Sequence, residues 1–463
     1  MPPVYEPARL RDEVRSSARL AAPLVGGHLA TGLIGFVDSV IAGRHDTGTL
    51  AAVSVGTAIF WLPMMIPMGT LMALPAAVSR LDGGGRRGDI GPLFRQAAWL
   101  ALALGLLLFA FLSLAPQLLA PMGIAAEIRP AATAFLHGIR WGVPALTLYY
   151  CMRYLSDGLH WTLPTMLFGF GGLLLLAPLG VVLTFGLSGL PEMGALGLGV
   201  ASSITMWAQA IMFAAYLWRS RRFADLALFA RWQRPHWPTI RSLLGTGLPI
   251  GVTVAMEGSL FIVTALLIGR LGEVQAAAHQ IAINVASLCF MIPFGVAEAT
   301  TVRVGHALGA GRGSQGVRRA AVAGLVLVLA TQTLSAGLLL FGHDHVAGIY
   351  TRDLAVGSLA ASLLLLAMAF QFPDGVQVLS AGALRGLGDT RVPMFIAALA
   401  YWGVGMPLGA GLGLGLGWGP RGMWLGLIAG LAVAAVLMAW RFLYSSSGGR
   451  LPTGPAVPVT KGP

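Results

Sequence analysis

Four acidic residues lie within long apolar segments of this 463-residue sequence: Asp38, Glu257, Glu298 and Asp374. A charged side chain at the centre of a bilayer costs about 2.5–3.5 kcal/mol on insertion scales, so such residues usually have a function. A buried carboxylate can bind a proton, because burial favours its neutral form. It can also bind Na⁺ through its oxygens, or pair with a cationic substrate. Competition between an ion and a substrate for these groups would produce antiport.

Each acid also has a structural interpretation, in which a protonated carboxyl group hydrogen-bonds a neighbouring helix. For Glu298 a pairing with nearby Arg303 is an equal alternative to a function. Glu257 lies 16 residues after Arg241 and 12 before Gly269. At about 1.5 Å per helical residue, this spacing predicts a position near the bilayer midplane.

The composition predicts that membrane helices position these acids. Hydrophobic residues make up 56% of the chain and charged residues only 10%, whereas soluble domains carry about a quarter charged residues. The net charge of +12 comes from 29 arginines and Lys461, which lie mainly in short breaks between apolar runs. We interpret them as topology signals and lipid head-group contacts rather than a nucleic-acid surface. Cys151 and Cys289 fall inside apolar segments and indicate neither a disulfide framework nor a metal site.

Hydropathy, proline and glycine breaks and charged loops predict an all-α polytopic membrane protein with about twelve membrane-spanning helices. The predicted limits are 20–43, 50–79, 93–117, 131–156, 163–187, 194–218, 242–268, 275–304, 319–341, 354–384, 393–416 and 422–443. With both termini in the cytoplasm, 24 of the 30 arginine and lysine residues fall on the inner side. This bias predicts that orientation.

An internal duplication divides these helices into two groups of six. A shift of 226 residues aligns Pro23 with Pro249, Gly43-Arg44 with Gly269-Arg270, Ile66-Pro67 with Ile292-Pro293, and Gly83, Gly85 and Arg86 with Gly309, Gly311 and Arg312. Because six is an even number, both copies run in the same sense, as in parallel repeats of transporters. The predicted organisation is a cytoplasmic N-tail (1–19), an N-terminal lobe (20–218), a cytoplasmic linker (219–241), a C-terminal lobe (242–444) and a cytoplasmic C-tail (445–463).

Several stretches resemble the multidrug and toxic compound extrusion (MATE) family, in its NorM-type branch. They include "GFVDSVIAG", "LAAVSVGTAIFWLP", "GLPIGVTVAMEGSLF", "AAAHQIAINVASLCFMIPFGVAEATTVRVGHALGAG", "FQFPDGVQVLSAGALRGLGDTRVPM", "YWGVGMPLG" and "GPRGMWLGLIAGL". These stretches sample both halves, so the resemblance covers about residues 15–445.

The resemblance implies two six-helix bundles around an open cavity and the export of bulky organic cations and other drugs, driven by entry of H⁺ or Na⁺. By motif, Asp38 resembles the acid of the N-terminal lobe. Glu257 and Asp374 resemble the acids of the C-terminal cation site, where Na⁺ is one candidate ligand. We therefore expect a monomeric antiporter of a bacterial-type inner (plasma) membrane that needs no cofactor beyond its coupling ion.

Two departures from the family pattern bear on the coupling ion. Relatives often have a tyrosine four residues before the tenth-helix acid, where this sequence has Phe370, whose ring can face a cation but offers no hydroxyl ligand. In the fifth helix, Leu176 and Gly180 stand where relatives often place asparagines. A proton needs fewer ligands than Na⁺, so these losses slightly favour H⁺.

Further polar or aromatic residues are candidates for the substrate cavity: Phe370, Gln280, Gln377, His279 and Asn284. For the two glutamines a hydrogen bond to a neighbouring helix is an equal alternative. A buried histidine in such a position more often serves helix packing.

Three other functions are alternatives to the antiporter. A lipid-linked oligosaccharide flippase of the same superfamily is the main alternative, but its pyrophosphate would call for buried basic residues, whereas the buried charges here are acidic. An integral membrane enzyme would require a polar catalytic cluster at one membrane interface, and the sequence has none. A channel fits the two-lobe repeat and its few polar residues less well than alternating access does.

Overall fold

The computed structural model describes residues 9–187, 189–230 and 233–452, and all regular structure in these ranges is helical. The α-helices, in chain order, are α1 Leu10–His45, α2 Thr47–Leu71, α3 Ala73–Gly83, α4 Ile90–Leu114, α5 Arg129–Ile139, α6 Val143–Gly158, α7 Leu163–Phe185, α8 Gly194–Arg219, α9 Trp237–Gly269, α10 Glu273–Gly309, α11 Gly313–Tyr350, α12 Leu354–Leu387, α13 Arg391–Ala397, α14 Met406–Ala410 and α15 Pro420–Ser445. Two π-helical stretches, Ala398–Gly405 and Gly411–Gly415, continue α13 and α14.

Eleven helical segments of the described chain are long and apolar enough to cross a membrane. This confirms the predicted all-α polytopic membrane fold. The predicted tails lie partly outside the described residues, which begin at residue 9 and end at residue 452. Lys461 is among the residues beyond that end.

Two compact units make up the chain. We call Gly26–Gly251 the N unit, and the described residues up to Val25 together with those from Val252 onward the C unit. The sequence predicted lobes separated at the 219–241 linker. The compact units instead divide within α1 and α9, close to Pro23 and Pro249, which lie inside these two helices.

The segment predicted as the fourth span, 131–156, is helical but is not one of the eleven apolar segments. It consists of α5, a short 3₁₀ turn at Arg140–Gly142, and α6. Almost every residue of α6 is buried inside the N unit, including three tyrosines and Arg153. Arg153 forms a buried ion pair with Asp157 (3.4 Å), and Asp157 accepts a hydrogen bond from Thr165 of α7 (2.7 Å). A helix enclosed by protein need not be apolar, because its polar groups find partners within the bundle.

Local geometry supports the internal duplication. Gly83 and Gly309, which the 226-residue shift aligns, are the last residues of α3 and α10. The aligned Gly85 and Gly311 both have positive φ angles, of +69° and +67°. Glycine adopts this left-handed conformation without the steric cost that a Cβ would bring, so both copies end the helix with the same turn.

Small residues allow close helix contacts in each unit. In the C unit, a Cβ on Gly382 of α12 would lie 2.6 Å from the carbonyl oxygen of Ala297 in α10. Thr301 of α10 donates a hydrogen bond to the Gly382 carbonyl at 2.8 Å. In the N unit, a Cβ on Gly199 of α8 would lie 2.5 Å from the carbonyl oxygen of Phe135 in α5. Membrane helices use glycine in this way because packing, rather than the hydrophobic effect, drives their association.

The turn between α1 and α2 is held by polar contacts at the end of the first predicted span. Asp46 caps α2 and accepts hydrogen bonds from the Thr49 hydroxyl and backbone N–H. These bonds, the hydroxyl bond above all, lower the pKa of Asp46 to about 2. His45 lies between Asp46 and Glu192, with nitrogen–oxygen distances of 2.5 and 2.8 Å. The cluster therefore connects the end of α1 to the segment before α8.

A buried acid fixes the first turns of α1 within the C unit. Glu13, 6% exposed, accepts a hydrogen bond from Arg303 of α10 and lies 3.5 Å from Arg312. Glu298, which the sequence analysis places near Arg303, is itself buried in α10. Three apolar residues of α1 extend this contact: Leu20, Ala21 and Leu24. They pack in one buried cluster with Val296, Ala299 and Val302 of α10, Val328 of α11 and Leu379 of α12.

Replacing Glu13 with glutamine should destabilise the protein, because the change leaves two arginines without their acid. Removing one partner of a fully buried pair costs about 3–5 kcal/mol. The arginine side chains here retain 17% and 18% exposure, so we expect a loss on the order of 2 kcal/mol. Thermal unfolding of the detergent-solubilised protein would measure it. Asp12→Asn is the matched control, since Asp12 is an exposed neighbour; equal unfolding temperatures for the two variants would contradict this role of Glu13.

Candidate functional site

Two of the predicted acids, Glu257 on α9 and Asp374 on α12, lie in neighbouring parts of the C unit. The rings of Phe261 in α9 and Phe370 in α12 are in contact, with centroids 6.1 Å apart and an interplanar angle of 67°. Glu257 lies one helical turn before Phe261, and Asp374 one turn after Phe370. Because the first and fourth spans of a repeat run in opposite directions, these turns lie on the same side of the ring contact. The charges of Glu257 and Asp374 interact accordingly.

The pair lies in surroundings that leave its charge poorly compensated. Asp374 is only 3% exposed, and its Oδ1 atom has no hydrogen-bond partner among the described residues. Arg385, a 7% exposed residue further along α12, acts electrostatically on Glu257. One arginine cannot neutralise two carboxylates, and an uncompensated buried charge is strongly unfavourable. The arrangement therefore favours the uptake of a positive charge, as a proton or as a metal cation with a preference for oxygen ligands.

Arg385 is one of the 24 arginine and lysine residues that the sequence analysis places on the inner side of the membrane. It lies eleven residues after Asp374, and eleven residues are about three turns of an α-helix, so both lie on one helical face. That periodicity was visible in the sequence. The electrostatic partner on α9 was not, because it depends on how α9 packs against α12.

Phe370 and His279 belong to a buried aromatic group of the C unit. Trp424 of α15 donates its indole N–H to Nδ1 of His279 at 3.2 Å. The Phe370 ring contacts Trp424 with centroids 5.6 Å apart. His279 and Phe370 are 2% and 3% exposed. These three rings pack together next to the turn of α12 that carries Asp374.

The remaining cavity candidates fall into two places. Gln377 lies one turn beyond Asp374 and is buried, and its Oε1 atom has no hydrogen-bond partner in the described part of the chain. Gln280 and Asn284 lie on an exposed face of α10, where the Gln280 amide donates to the Asn284 oxygen at 3.0 Å. Gln377 thus accompanies the acid pair. Gln280 and Asn284 do not belong to the buried group.

Asp38 lies in the N unit on the side of α1 that packs against α7. Ile34, one turn earlier, packs in a cluster with Leu176, Leu183 and Ala201. A Cβ on Gly180 would lie 3.0 Å from the side chain of Ile41. Between these contacts, the Oδ1 atom of Asp38 is buried and has no hydrogen-bond partner in the described ranges. Asp38 thus has apolar neighbours on α7, in line with the expectation, based on Leu176 and Gly180, that this helix offers few oxygen ligands.

Comparisons with known proteins identify relatives along almost the whole chain. The MatE family model matches residues 23–183 and 249–410. A probable multidrug resistance protein NorM of Xanthomonas axonopodis pv. citri is 67% identical over 445 residues, covering 96% of this chain and 97% of the relative. The multidrug resistance protein PmpM of Pseudomonas aeruginosa is 43% identical over 450 residues, covering 96% and 94%.

Solved structures share the fold. The crystal structure of the eukaryotic MATE transporter AtDTX14 matches with a TM-score of 0.86 at 17% identity, covering 95% of this chain and 99% of that one.

Proposed function

Because this chain belongs to the MATE family of multidrug efflux transporters, we propose that it is a secondary antiporter that exports bulky organic cations in exchange for inward H⁺ or Na⁺. It is a multi-pass membrane transporter rather than an enzyme. The coupling ion and the cationic nature of the substrate are the parts that we infer. The observation that carries the proposal is the acid pair of Glu257 and Asp374, of which Asp374 is buried and has a carboxylate oxygen that lacks a hydrogen-bond partner among the described residues.

The acid pair supports a simple account of coupling. Repulsion between two carboxylates in a medium of low dielectric makes the empty pair unfavourable, and an entering cation relieves it. The two acids then titrate or bind the ion as one unit. If ion binding weakens drug binding, the drug must weaken ion binding by the same factor, because linkage is reciprocal. Ion entry from outside would therefore promote drug release, and loss of the ion inside would restore drug binding.

Asp38 supplies the acid of the N unit. Its buried carboxylate oxygen supports a role in the same exchange, since an unpartnered carboxylate in apolar surroundings also gains from protonation or from a cation. The apolar neighbours contributed by α7 favour a proton there, because Na⁺ would require more oxygen ligands than this surface offers.

Transport by the purified protein in liposomes tests the proposal. A pH gradient with the acidic side outside, or a Na⁺ gradient with the higher concentration outside, should drive a fluorescent organic cation such as ethidium out of the liposomes, in the direction opposite to the ion. A response to ΔpH alone identifies H⁺ as the coupling ion, and a response to ΔNa⁺ alone identifies Na⁺. Drug movement that responds to neither gradient would contradict antiport. Glu257→Gln protein in matched liposomes controls for leakage.

The membrane orientation is a further proposal. We infer that both termini and the 219–241 linker are cytoplasmic, in a bacterial inner membrane, because arginine collects on that side. In a background with Cys151 and Cys289 replaced by alanine, Ser220→Cys and Arg352→Cys should react with an impermeant thiol reagent from opposite sides. Ser220 directly follows α8, and Arg352 is exposed in the connection between α11 and α12. Labelling of both from the same side would exclude this topology.

We also infer that a single chain is the functional unit, because all three acids belong to one chain. Light scattering of the detergent-solubilised protein should give the mass of one chain, 48.2 kDa, after correction for bound detergent. A stable dimer under transport-competent conditions would contradict this inference.

A further inference from the structure

Tyr401 lies at the centre of the first π-helical stretch, Ala398–Gly405, between α13 and α14. The residue is fully buried in the C unit. It belongs to the same buried cluster as Phe370 and Trp424, the rings beside the acid pair. A π-helix is rare and costs regular hydrogen bonding, and such segments frequently occur at functional sites. The position of Tyr401 therefore calls for an explanation beyond packing.

The hydroxyl group of Tyr401 has no hydrogen-bond partner within residues 9–187, 189–230 and 233–452. Buried tyrosine hydroxyls normally find one. The group nonetheless interacts electrostatically with Glu257 and with Asp374. It is thus within range of both members of the acid pair without being hydrogen-bonded to either.

Three buried oxygen atoms of the C unit have no hydrogen-bond partner in the described chain and belong to the acid Asp374, to its neighbour on α12 or to Tyr401: Asp374 Oδ1, Gln377 Oε1 and Tyr401 Oη. They come from two separate segments, α12 and the π-helical stretch after α13. Packing alone does not account for them, since a phenylalanine at position 401 and a leucine at 377 would fill space without burying an unsatisfied polar atom. Oxygen atoms from carboxylate, amide and hydroxyl groups are the ligand types that hard cations select.

We propose that Tyr401 is a ligand of the coupling cation, and that its phenol oxygen completes the site formed by Glu257, Asp374 and the Gln377 amide oxygen. This inference rests on the proposed function, because it assigns a further residue to the same ion site. Among the described residues the phenol group is unsatisfied and makes no hydrogen bond to either acid. When Na⁺ enters, the phenol oxygen coordinates it through a lone pair; when H⁺ enters, the oxygen accepts a hydrogen bond from the protonated carboxyl group.

A ligand role for Tyr401 changes what Phe370 implies about the coupling ion. The missing hydroxyl at position 370 indicated a site poor in oxygen ligands. A hydroxyl supplied by Tyr401 gives the C unit a ligand set that suits Na⁺ as well as H⁺. The number of ligands in this unit therefore no longer favours H⁺.

The test compares Tyr401→Phe, which removes one oxygen and keeps the ring, with Tyr149→Phe. Tyr149 is a buried tyrosine of the N unit, 6% exposed, and controls for the loss of a buried hydroxyl group. The initial rate of drug transport across the liposome membrane is measured as a function of the concentration of the coupling ion that was identified for the wild type. We expect Tyr401→Phe to raise the half-maximal ion concentration about tenfold, as for loss of one interaction with a charged group. The maximal rate at saturating ion should stay within about twofold of wild type.

A second measurement separates this role from a structural one. Without the coupling ion, the unfolding temperature of Tyr401→Phe should equal or exceed that of the wild type, because the variant no longer buries an unsatisfied hydroxyl. The added stability that the ion confers on the wild type should be reduced in Tyr401→Phe and unchanged in Tyr149→Phe. An unchanged half-maximal ion concentration in Tyr401→Phe, or the same shift in Tyr149→Phe, would overturn the proposal. A wild-type protein without ion-driven export would instead refute the proposed function.

Discussion

Glu257→Gln and Asp374→Asn are each expected to abolish ion-driven drug export while leaving the folded protein in the membrane. Each change removes one ionisable carboxyl group and keeps the shape of the side chain. Truncating one partner of a buried charge interaction costs on the order of 3 kcal/mol, which corresponds to roughly 100-fold weaker ion binding. Export should therefore fall to the level of protein-free liposomes at ordinary ion concentrations. Initial rates of ethidium transport under the coupling gradient measure the effect.

Two exposed acids serve as matched controls. Glu273 at the start of α10 is exposed, and the Asp344 side chain is 86% exposed. Glu273→Gln and Asp344→Asn remove the same chemical groups far from the acid pair, so transport should continue at about the wild-type rate. A similar loss in these controls would point to a general effect of charge.

The double variant tests whether the two acids act as one unit. Residues that share one bound ion are not additive, so Glu257→Gln/Asp374→Asn should be little worse than either single variant. Independent, multiplicative losses would exclude a shared site. Undiminished ion-dependent drug release in either single variant would exclude it as well.

Asp38→Asn, a change in the N unit, is expected to abolish ion-coupled drug export. The asparagine side chain is isosteric but cannot bind a proton or carry the negative charge that attracts a cation. Cells that express this variant should lose drug resistance, while the amount of folded protein in the membrane stays at the wild-type level. The exposed Asp12 again offers a control, as Asp12→Asn. Full drug resistance with Asp38→Asn would assign Asp38 a structural role in helix packing.

The sequence predicted the fold well because its signals are local. Long apolar runs indicate membrane helices wherever they occur, and of the predicted spans only 131–156, which is helical, is absent from the eleven apolar segments of the described chain. There, Tyr149, Arg153 and Asp157 lower the hydropathy of a helix that neighbouring helices enclose. Its burial depends on contacts with other helices, which hydropathy does not describe. The duplication was also visible, since Gly85 and Gly311 recur at one spacing and adopt the same backbone conformation.

The candidate site was predictable in its acids and not in their partners. Glu257 and Asp374 stand out because a charge in an apolar run is costly. Tyr401 does not stand out, since a tyrosine in an apolar helix is ordinary until its hydroxyl is found buried beside two acids. The ion pair of Glu13 with Arg303 joins residues 290 positions apart. Partners at such distances are set by how the helices pack, and one sequence carries no direct record of that.

The predicted lobes and the compact units are divided at different places in the chain. A charged, proline-containing segment at 219–241 is a natural place to divide the sequence. The compact units divide near Val25 and Gly251, and the part of α1 before Val25 packs with α10 through Glu13 and Leu24. The predicted lobes follow the repeat, whereas the compact units follow side-chain packing.

Drug-driven ion movement tests the central claim, exchange of drug and ion through the acid pair, most directly. Liposomes that contain the purified protein and a trapped pH- or Na⁺-sensitive dye are given a gradient of an organic cation and no ion gradient. Reciprocal coupling predicts that the drug gradient drives the coupling ion in the opposite direction in the wild type, and that Glu257→Gln and Asp374→Asn show no such ion flux. Drug movement without ion flux in the wild type, or an ion flux in either variant equal to that of the wild type, would contradict the account.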